Sequence, residues 1–407
     1  MRYSLVESII ESKSDIPDTI HSELLGLFNV HSVSEMDADE KERIKRVISQ
    51  MFNTGNQPGY DDYSREYALY YLPVNLQKIW RPLLDLAEGE CLKEQCEVLE
   101  LGAGPGSATF GLMEFYRYLS IENSTRTFIL DITIVEMEQH FIDVFRQLFE
   151  EYQQSLPDNL RVHLQVENSE AFRFIDEQQA QNYDLIIESN MLNPNENIDD
   201  HGLEQFAGNV RQRLKPHSAV ILIEPAKRTL SNHLRTVKRH MMEEGMSLYS
   251  PCSCDQMTCR QFASAELDIR QIQICRELSD EGIIKKELGY HAFEYAVLRN
   301  DRLKKFNGVA DDAVLAELDP QKKSEVSFHA FVLSIANPDK DTFALKICDG
   351  SLTENQSVWI NIPKKMLVNK EINALTCGRG SQLKVKKATV TQPNRLDVNK
   401  KTQITIY

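Results

Sequence analysis

The segment Glu100-Leu-Gly102-Ala-Gly104-Pro-Gly106 sets three glycines at alternate positions, directly after the apolar run that starts at Val98 and just before a helical stretch. Glycine lets the backbone turn sharply and lets a ligand approach with no Cβ in the way. The helix start that follows offers free N–H groups to a carboxylate or phosphate. A dinucleotide fingerprint would need glycine at 107, and that position is Ser107. A second constellation lies farther on. Cys252, Cys254, Cys259 and Cys275 fall within 24 residues. Thiolates this close repel once ionised unless a cation holds them. Cys252, Cys254 and Cys259 share one turn-like segment, YSPCSCDQMTC, and a closed site needs a fourth ligand, for which Cys275 is nearest in sequence. Zinc and an iron–sulfur cluster both suit such a set. Cys91, Cys96 and Cys377 are scattered and read as ordinary small residues.

Alternating strands and helices must position these groups. From 97 to 298, short apolar runs at Glu97–Leu101, Thr127–Val135, Leu160–Val166, Tyr183–Glu188, Ala219–Ile223 and His291–Leu298 alternate with helical stretches. The first five have the texture of buried parallel strands. Met137, Phe141, Phe145 and Leu148 mark one face of an amphipathic helix. The alternation predicts an α/β, Rossmann-like doubly wound sheet. Residues 1–90 read as a helical N-terminal segment, with Ser64 to Glu88 at helical spacing around Pro73 and Pro82. The sheet domain is expected over 91–300, with a cysteine-rich insertion at 250–276. Residues 301–324 are charged and read as a linker. Over 325–407, Val326–Ile335, Thr342–Cys348, Ser357–Ile362, Gln382–Thr391 and Thr402–Tyr407 read as five strands, which fits a small, OB-like β-barrel.

Composition narrows the partners. The formal charge of −15 is unevenly spread: residues 301–407 carry +5 and residues 1–300 carry −20. An acidic body is a poor general nucleic-acid binder, so any RNA contact is expected at the C-terminal barrel. Its basic residues include Lys364, Lys365, Lys370, Arg379, Lys384, Lys386, Lys387, Arg395, Lys400 and Lys401. Phe331, Phe343 and Trp359 are candidate stacking surfaces for bases. No apolar run reaches the roughly 18 residues a membrane helix needs. The N-terminus lacks a basic segment followed by an apolar one, so a cytoplasmic or similarly reducing location is expected, with no membrane partner.

The E-x-G-x-G-x-G loop resembles motif I of class I S-adenosylmethionine (SAM) methyltransferases. That resemblance implies that Gly102, Gly104 and Gly106 wrap the methionine part of SAM and that Glu100 helps hold its amino group. An acid at the end of the next strand accepts ribose hydroxyls in such folds; Glu136 fits, and mid-strand Asp131 is the weaker candidate. The segment 119–126 holds the extra chain between loop and acid. DLIIESNML (184–192) occupies the fourth-strand, substrate-side position; Asn193-Pro194-Asn195 lacks the aromatic that an amino-methyltransferase motif would stack on a base and reads as a plain loop.

From about 65 to 350 the chain resembles one family, the methyltransferase-like proteins of the small ribosomal subunit. Tyr67 to Pro73, VLELGAGPGSAT (98–109), DLIIESNML, ILIEPA (221–226), Pro251-Cys252, Cys259-Arg-Gln-Phe262 and YHAFEYAVLRND (290–301) carry the resemblance. Ala226 stands where the family has Gly, and the cysteine segment is shorter than the family's. The resemblance implies an iron–sulfur (4Fe-4S) cluster beside the SAM fold, and a role in small-subunit rRNA modification or assembly. LKICDG (345–350) resembles the family's turn after the closing strand, which assigns Cys348 as the fourth ligand beside Cys252, Cys254 and Cys259. Two functions follow as expectations. One is a SAM-dependent methyltransferase acting on RNA or a ribosome-associated substrate. The other is a SAM- and cluster-binding factor for small-subunit assembly with no turnover. No residue stands out as the catalytic base; in-line methyl transfer to a reactive nucleophile often needs only proximity and orientation.

Overall fold

The computed structural model describes residues 15–53, 63–177, 181–192, 198–226, 231–251, 265–285, 289–303, 305, 313–322, 325–352, 356–367 and 382–406, together with residues 4, 5 and 8. The first sheet is built from β1 (Gln95–Leu101), β2 (Phe128–Glu136), β3 (Leu160–Asn168), β4 (Tyr183–Ser189), β5 (Leu214–Pro225), β6 (Ser247–Ser250), β7 (Ala265–Asp268) and β8 (Tyr290–Arg299). Its order is β3-β2-β1-β4-β5-β8-β6, with β7 also paired to β8. β1 to β5 run parallel, while β8 is antiparallel to β5, β6 and β7. This is the class I methyltransferase arrangement: a doubly wound half-sheet on each side of β1/β4, closed by a reversed strand next to β5. The order switches direction between β1 and β4, and open α/β sheets bind ligands outside the carboxyl ends of the strands at such a point.

Both faces of the sheet are covered, which is why its strands read as continuous apolar runs. Val98, Ile132, Ile187 and Ile221 face one core, which the N-terminal helices share through Leu24, Leu69, Leu72 and Leu83. Leu99, Leu101, Ile186 and Leu222 face the other, under the helices Asp200–Gln212 and Ser231–Glu243. The helix Ser64–Leu76 lies against Ser107–Glu122, the helix that leaves the glycine loop. Trp80 Nε1 donates to Gly111 O at 2.9 Å and ties the following helix to it as well. β6 and β7 escape the sequence pattern because each is only four residues long and sits at the margin of the sheet.

The second sheet contains β9 (Glu325–Ala336), β10 (Thr342–Cys348), β11 (Val358–Pro363), β12 (Gln382–Gln392), β13 (Arg395–Asp397) and β14 (Gln403–Ile406). Its order is β13-β11-β10-β9-β12-β14, and an added β12–β13 pairing closes a five-stranded barrel. The expected barrel is present, but its fifth strand is not the C-terminal run. The three-residue β13 closes the ring, parallel to β11 and antiparallel to β12, and β14 extends β12 outside it. Phe328, Val332, Leu345, Ile360 and Val385 fill the barrel. Phe331 does not; it joins the buried cluster of the first domain, so the barrel is packed against that domain.

The start of the charged segment after β8 is also anchored. Lys305 Nζ bonds Asp85 Oδ1 at 2.7 Å and reaches Glu88. Asp85 is fully buried and accepts further from the Tyr295 hydroxyl at 2.9 Å, with Arg81 beside it.

Candidate functional site

The glycine loop sits at the sheet's switch point. Gly102 N and Ala103 N both donate to Val135 O, at 2.9 and 3.1 Å, so the loop is fastened to the end of β2. Gly102, Gly104 and Gly106 all have left-handed φ, at 66°, 55° and 91°. That conformation strains any residue with a Cβ. What surrounds each glycine differs. A Cβ on Gly102 would lie 2.3 Å from Met191 Cγ, and one on Gly106 would lie 2.2 Å from Phe145 Cδ2. A Cβ on Gly104 would meet nothing within 4 Å. The outer glycines are thus packed, and the middle one faces open space.

Two buried carboxyls border this loop. Glu136 Oε2 accepts from Gly104 N at 2.7 Å and Oε1 accepts from Glu138 N at 2.9 Å. Burial holds its carboxyl above the ordinary range, and the backbone donors oppose that rise. Glu100 bonds the Thr109 hydroxyl and the N–H groups at the start of the helix Ser107–Glu122. Burial pushes it up to about 7, partly offset by those bonds. Glu100 therefore anchors the helix start that the loop leads into, and Glu136 grips the loop itself. Asp131 is exposed at mid-strand and pairs with His163 at 2.7 Å, away from the loop.

The helix Ser64–Leu76 roofs this end of the sheet with aromatic rings. Tyr67 stacks on Tyr71 at 4.6 Å and tilts against Phe141 at 5.1 Å. Tyr67 lies within the field of both Glu136 and Glu224, which, after burial, raise its phenol. It therefore stands between the acid at the loop and an acid pair that sequence reasoning passed over. That pair is Glu188, near the end of β4, and Glu224, near the end of β5, at 1% and 0% exposure. The signal available was an acid at corresponding ends of two adjacent apolar strands, in DLIIES and ILIEP. Glu188 Oε1 accepts from Met191 N at 2.8 Å and from Leu192 N at 3.2 Å; Glu224 Oε1 accepts from the same Leu192 N at 3.0 Å. Burial pushes Glu188 up to about 7 and Glu224 well above its ordinary range, the latter also raised by its neighbour's charge. Lys78, itself buried, lies near Glu224 with Nζ 5.8 Å from the Phe293 ring centre; burial brings it down to about 8.

Cys252, Cys254 and Cys259, and the loop residues Asn193 to Asn195, lie outside the described residues. The two candidates for the fourth thiolate are far apart in their packing. Cys275 is buried in the core shared with the N-terminal helices, and burial raises its thiol. Cys348 ends β10, buried in the barrel cluster opposite Phe331 at the seam between the domains, and its Sγ accepts from Gly350 N at 3.3 Å. Among the described residues no three His, Cys, Asp or Glu side chains gather as a metal site requires.

On the barrel, the stacking candidates separate. Phe331 and Phe343 are each 2% exposed and belong to cores, so they offer no face to a base. Trp359 is half-buried on β11. The register sets it between Lys346 of β10 and Arg395 of β13, with Ser334 of β9 next beyond Lys346. Lys384 and Lys386 share one face of β12, at some distance around the barrel. No helix among the described residues is long and apolar enough to cross a membrane.

A family profile described as the spermine/spermidine synthase domain matches residues 88–259. No curated protein matches the chain. Among solved structures, the chain is similar to a precorrin-6y C5,15-methyltransferase from Geobacter metallireducens GS-15, at 15% identity over 53% of this chain and 85% of that one, TM-score 0.30. It is similar to the N-methyltransferase NodS from Bradyrhizobium japonicum WM9 in complex with S-adenosyl-L-homocysteine, at 13% identity over 63% and 98%, TM-score 0.30. It is also similar to TehB from Haemophilus influenzae, at 13% identity over 53% and 61%, TM-score 0.29. None of these three structures is a small-ribosomal-subunit protein. By its own strand order, reversed β8 and glycine loop after β1, the chain carries a class I SAM-dependent methyltransferase fold joined to a closed five-stranded barrel.

Proposed function

We propose that the chain is a SAM-dependent methyltransferase acting on RNA or on a ribosome-associated protein. The observation that carries this is the open space over Gly104, flanked by the grip of Glu136 on the loop and closed at both ends by packed glycines. The residues present fit the cofactor: a left-handed loop with nothing above its middle glycine, an acid at the end of β2, and an aromatic roof at Tyr67. SAM bound there supplies a methyl group made electrophilic by its sulfonium. Glu136 is assigned to the ribose hydroxyls, and the loop N–H groups to the methionine end. Glu100 acts behind the loop by fixing the helix start. Tyr67 and Tyr71 shield the cleft from water on the side of the helix Ser64–Leu76.

The barrel is the proposed contact for RNA. Lys346, Trp359 and Arg395 combine one aromatic face with two cations in a single cross-strand row, the elements of a single-strand stacking platform. An OB-like reading of the barrel rests on the same strands. Cys252, Cys254 and Cys259 with Cys348 are the proposed thiolate set, either zinc or iron–sulfur, which would clasp the two domains at the seam by Phe331. The test is transfer of tritiated methyl from SAM to total RNA and to isolated small ribosomal subunits. Label in either fraction supports the enzyme. SAM binding and co-sedimentation with small subunits without label would instead establish the assembly-factor reading.

A further inference from the structure

The acid pair at the ends of β4 and β5 is not needed to explain the loop, yet it is wired to it. The two carboxyls lie within each other's reach, and both accept from one backbone donor, Leu192 N. Glu188 also holds Met191 N. This fixes the turn at 190–192, where Asn190 takes a left-handed φ of 59° and His233 Nδ1 bonds Leu192 O at 2.8 Å. The Met191 side chain then lies against Gly102, where even a Cβ would collide. A continuous run of contacts thus joins the pair, the 190–192 turn, Met191 and the glycine loop.

Two carboxylates in contact cannot both ionise cheaply, and one N–H cannot serve two full charges. Oε2 of each Glu has no hydrogen-bond donor, although both are buried. A proton held between them satisfies both atoms. The groups around the pair are few. Lys78 faces Glu224, and Tyr67 stands on the loop side. Glu294 is the direct strand partner of Glu224, but Arg235 neutralises it at 2.6 Å. His233 reaches the turn and not the carboxyls.

We propose that Glu188 and Glu224 are positioning residues: they act as one singly protonated clamp that holds the 190–192 turn, and through Met191 the glycine loop, in the form that binds SAM. This rests on reading that loop as the SAM site. The clamp is present while a proton is shared and is lost as that proton leaves. Acids held above their ordinary range contribute stability that is full below about 4.5 and falls as pH climbs through their folded values. In the folded chain itself Glu188 gives up its proton near 7, while Glu224, held well above its ordinary range, keeps the shared proton beyond that.

The experiment uses the full chain, between about pH 6.5 and about pH 9, a range that spans Glu188 at about 7 and Lys78 at about 8. Hydrogen exchange reports protection of the Met191 and Leu192 amides, and calorimetry reports binding of S-adenosylhomocysteine. In the wild type, protection is expected to fall with rising pH beyond the intrinsic rate, and affinity to fall about tenfold, the weight of one charge-assisted hydrogen bond. Glu224→Gln supplies the N–H permanently and should flatten both curves. Glu188→Ala with Glu224→Ala should lower both at every pH. The ligand's own amine titrates equally against all variants, so the difference between curves belongs to the protein. Unchanged amide protection in the double alanine variant overturns the clamp. So does a flat response in Lys78→Met with a persisting fall in Glu224→Gln, which would assign the proton to Lys78. Glu224→Gln that keeps protection and ligand affinity unaltered at every pH but abolishes methyl transfer would move the pair to the acceptor's chemistry. If the wild type shows the pH-dependent protection but binds no ligand, the SAM reading fails while the clamp stands.

Discussion

Gly104→Ala and Gly102→Ala should separate binding from folding. Both positions have left-handed φ, so either alanine costs on the order of 1–2 kcal/mol of backbone strain. At Gly102 the new methyl also drives into Met191 Cγ at 2.3 Å. Overpacking of that kind adds about 1–3 kcal/mol, since Met191 is held from behind by Glu188 and cannot simply retreat. At Gly104 the methyl meets nothing within 4 Å, so strain is the whole folding cost. Gly104→Ala should therefore lower stability by about 1–2 kcal/mol, and Gly102→Ala by about 2–5 kcal/mol, strain and overpacking together. Binding should show the opposite ranking relative to stability. If the space above Gly104 is where SAM lies, the extra methyl occupies ligand volume there, and Gly104→Val should abolish binding while the chain stays folded. Denaturant unfolding measures the first quantity and calorimetry with SAM the second. Wild-type affinity is expected to be micromolar, on the order of 8 kcal/mol. A folded Gly104→Val protein that binds SAM with wild-type affinity would refute the assignment of this loop.

Glu136→Ala should weaken SAM binding by about 1–3 kcal/mol, since ribose hydroxyls and Gly104 N lose their acceptor; calorimetry reads it, and a change below measurement would remove Glu136 from the site. Glu100, pushed up to about 7, takes up a proton on folding between about 4.5 and about 7, so its contribution falls as pH rises across that window, by up to about 1.4 kcal/mol per pH unit. Glu100→Gln should remove that slope in a comparison of denaturant midpoints, and identical slopes in both proteins would show that the carboxyl stays ionised. Trp359→Ala should cost the full chain about 1–3 kcal/mol in binding single-stranded RNA, and Lys346→Ala with Arg395→Ala should shallow the salt dependence; salt-independent binding in the wild type would exclude this row as an RNA contact. Anaerobically purified protein should be brown, and Cys252→Ser and Cys348→Ser should each bleach it while Cys377→Ser does not. Colour kept in Cys348→Ser but lost in Cys275→Ser would move the fourth ligand, and a colourless protein with one zinc would overturn the cluster but not the clasp.

The sheet was legible because its strands are buried on both faces. Runs such as VLEL and DLIIE carry an apolar signal strong enough to place five parallel strands, and the glycines after the first mark the switch point. β6, β7 and β13 left no such trace, because a strand of three or four residues is held by its neighbour's hydrogen bonds rather than by its own periodicity. The error at the barrel has the same origin. The run 402–407 alternates well and reads as a closing strand, but closure is decided by which segment reaches both β11 and β12, and that is Arg395–Asp397. The aromatic residues divide for a related reason. Phe331, Phe343 and Trp359 look alike in sequence, yet inward or outward placement depends on a register that bulges on β9–β10 and β12 shift. Of the three only Trp359 is left with a partly open face.

The acid pair shows where sequence reasoning stops and why. An acid at a strand end is an ordinary solvated residue unless a neighbour from another strand and a turn above it close off water. Glu188 and Glu224 are 36 residues apart. Only the parallel pairing of β4 with β5 brings their carboxyls together, and only the left-handed turn at Asn190 folds Leu192 N onto both. Burying a lone carboxyl raises its pKa and costs stability. Burying two against one donor is tolerated only if a proton stays between them or a cation arrives. Lys78 is a cation that acts on Glu224, yet burial brings it down to about 8, so it loses its charge as pH rises past that value and compensates the pair only in part. The chain therefore keeps a costly arrangement at the carboxyl end of the sheet, beside the glycine loop and under Tyr67. Strained or expensive groups persist where the surrounding structure fixes them for use. Here the use consistent with every contact is to set the turn whose Met191 packs against Gly102.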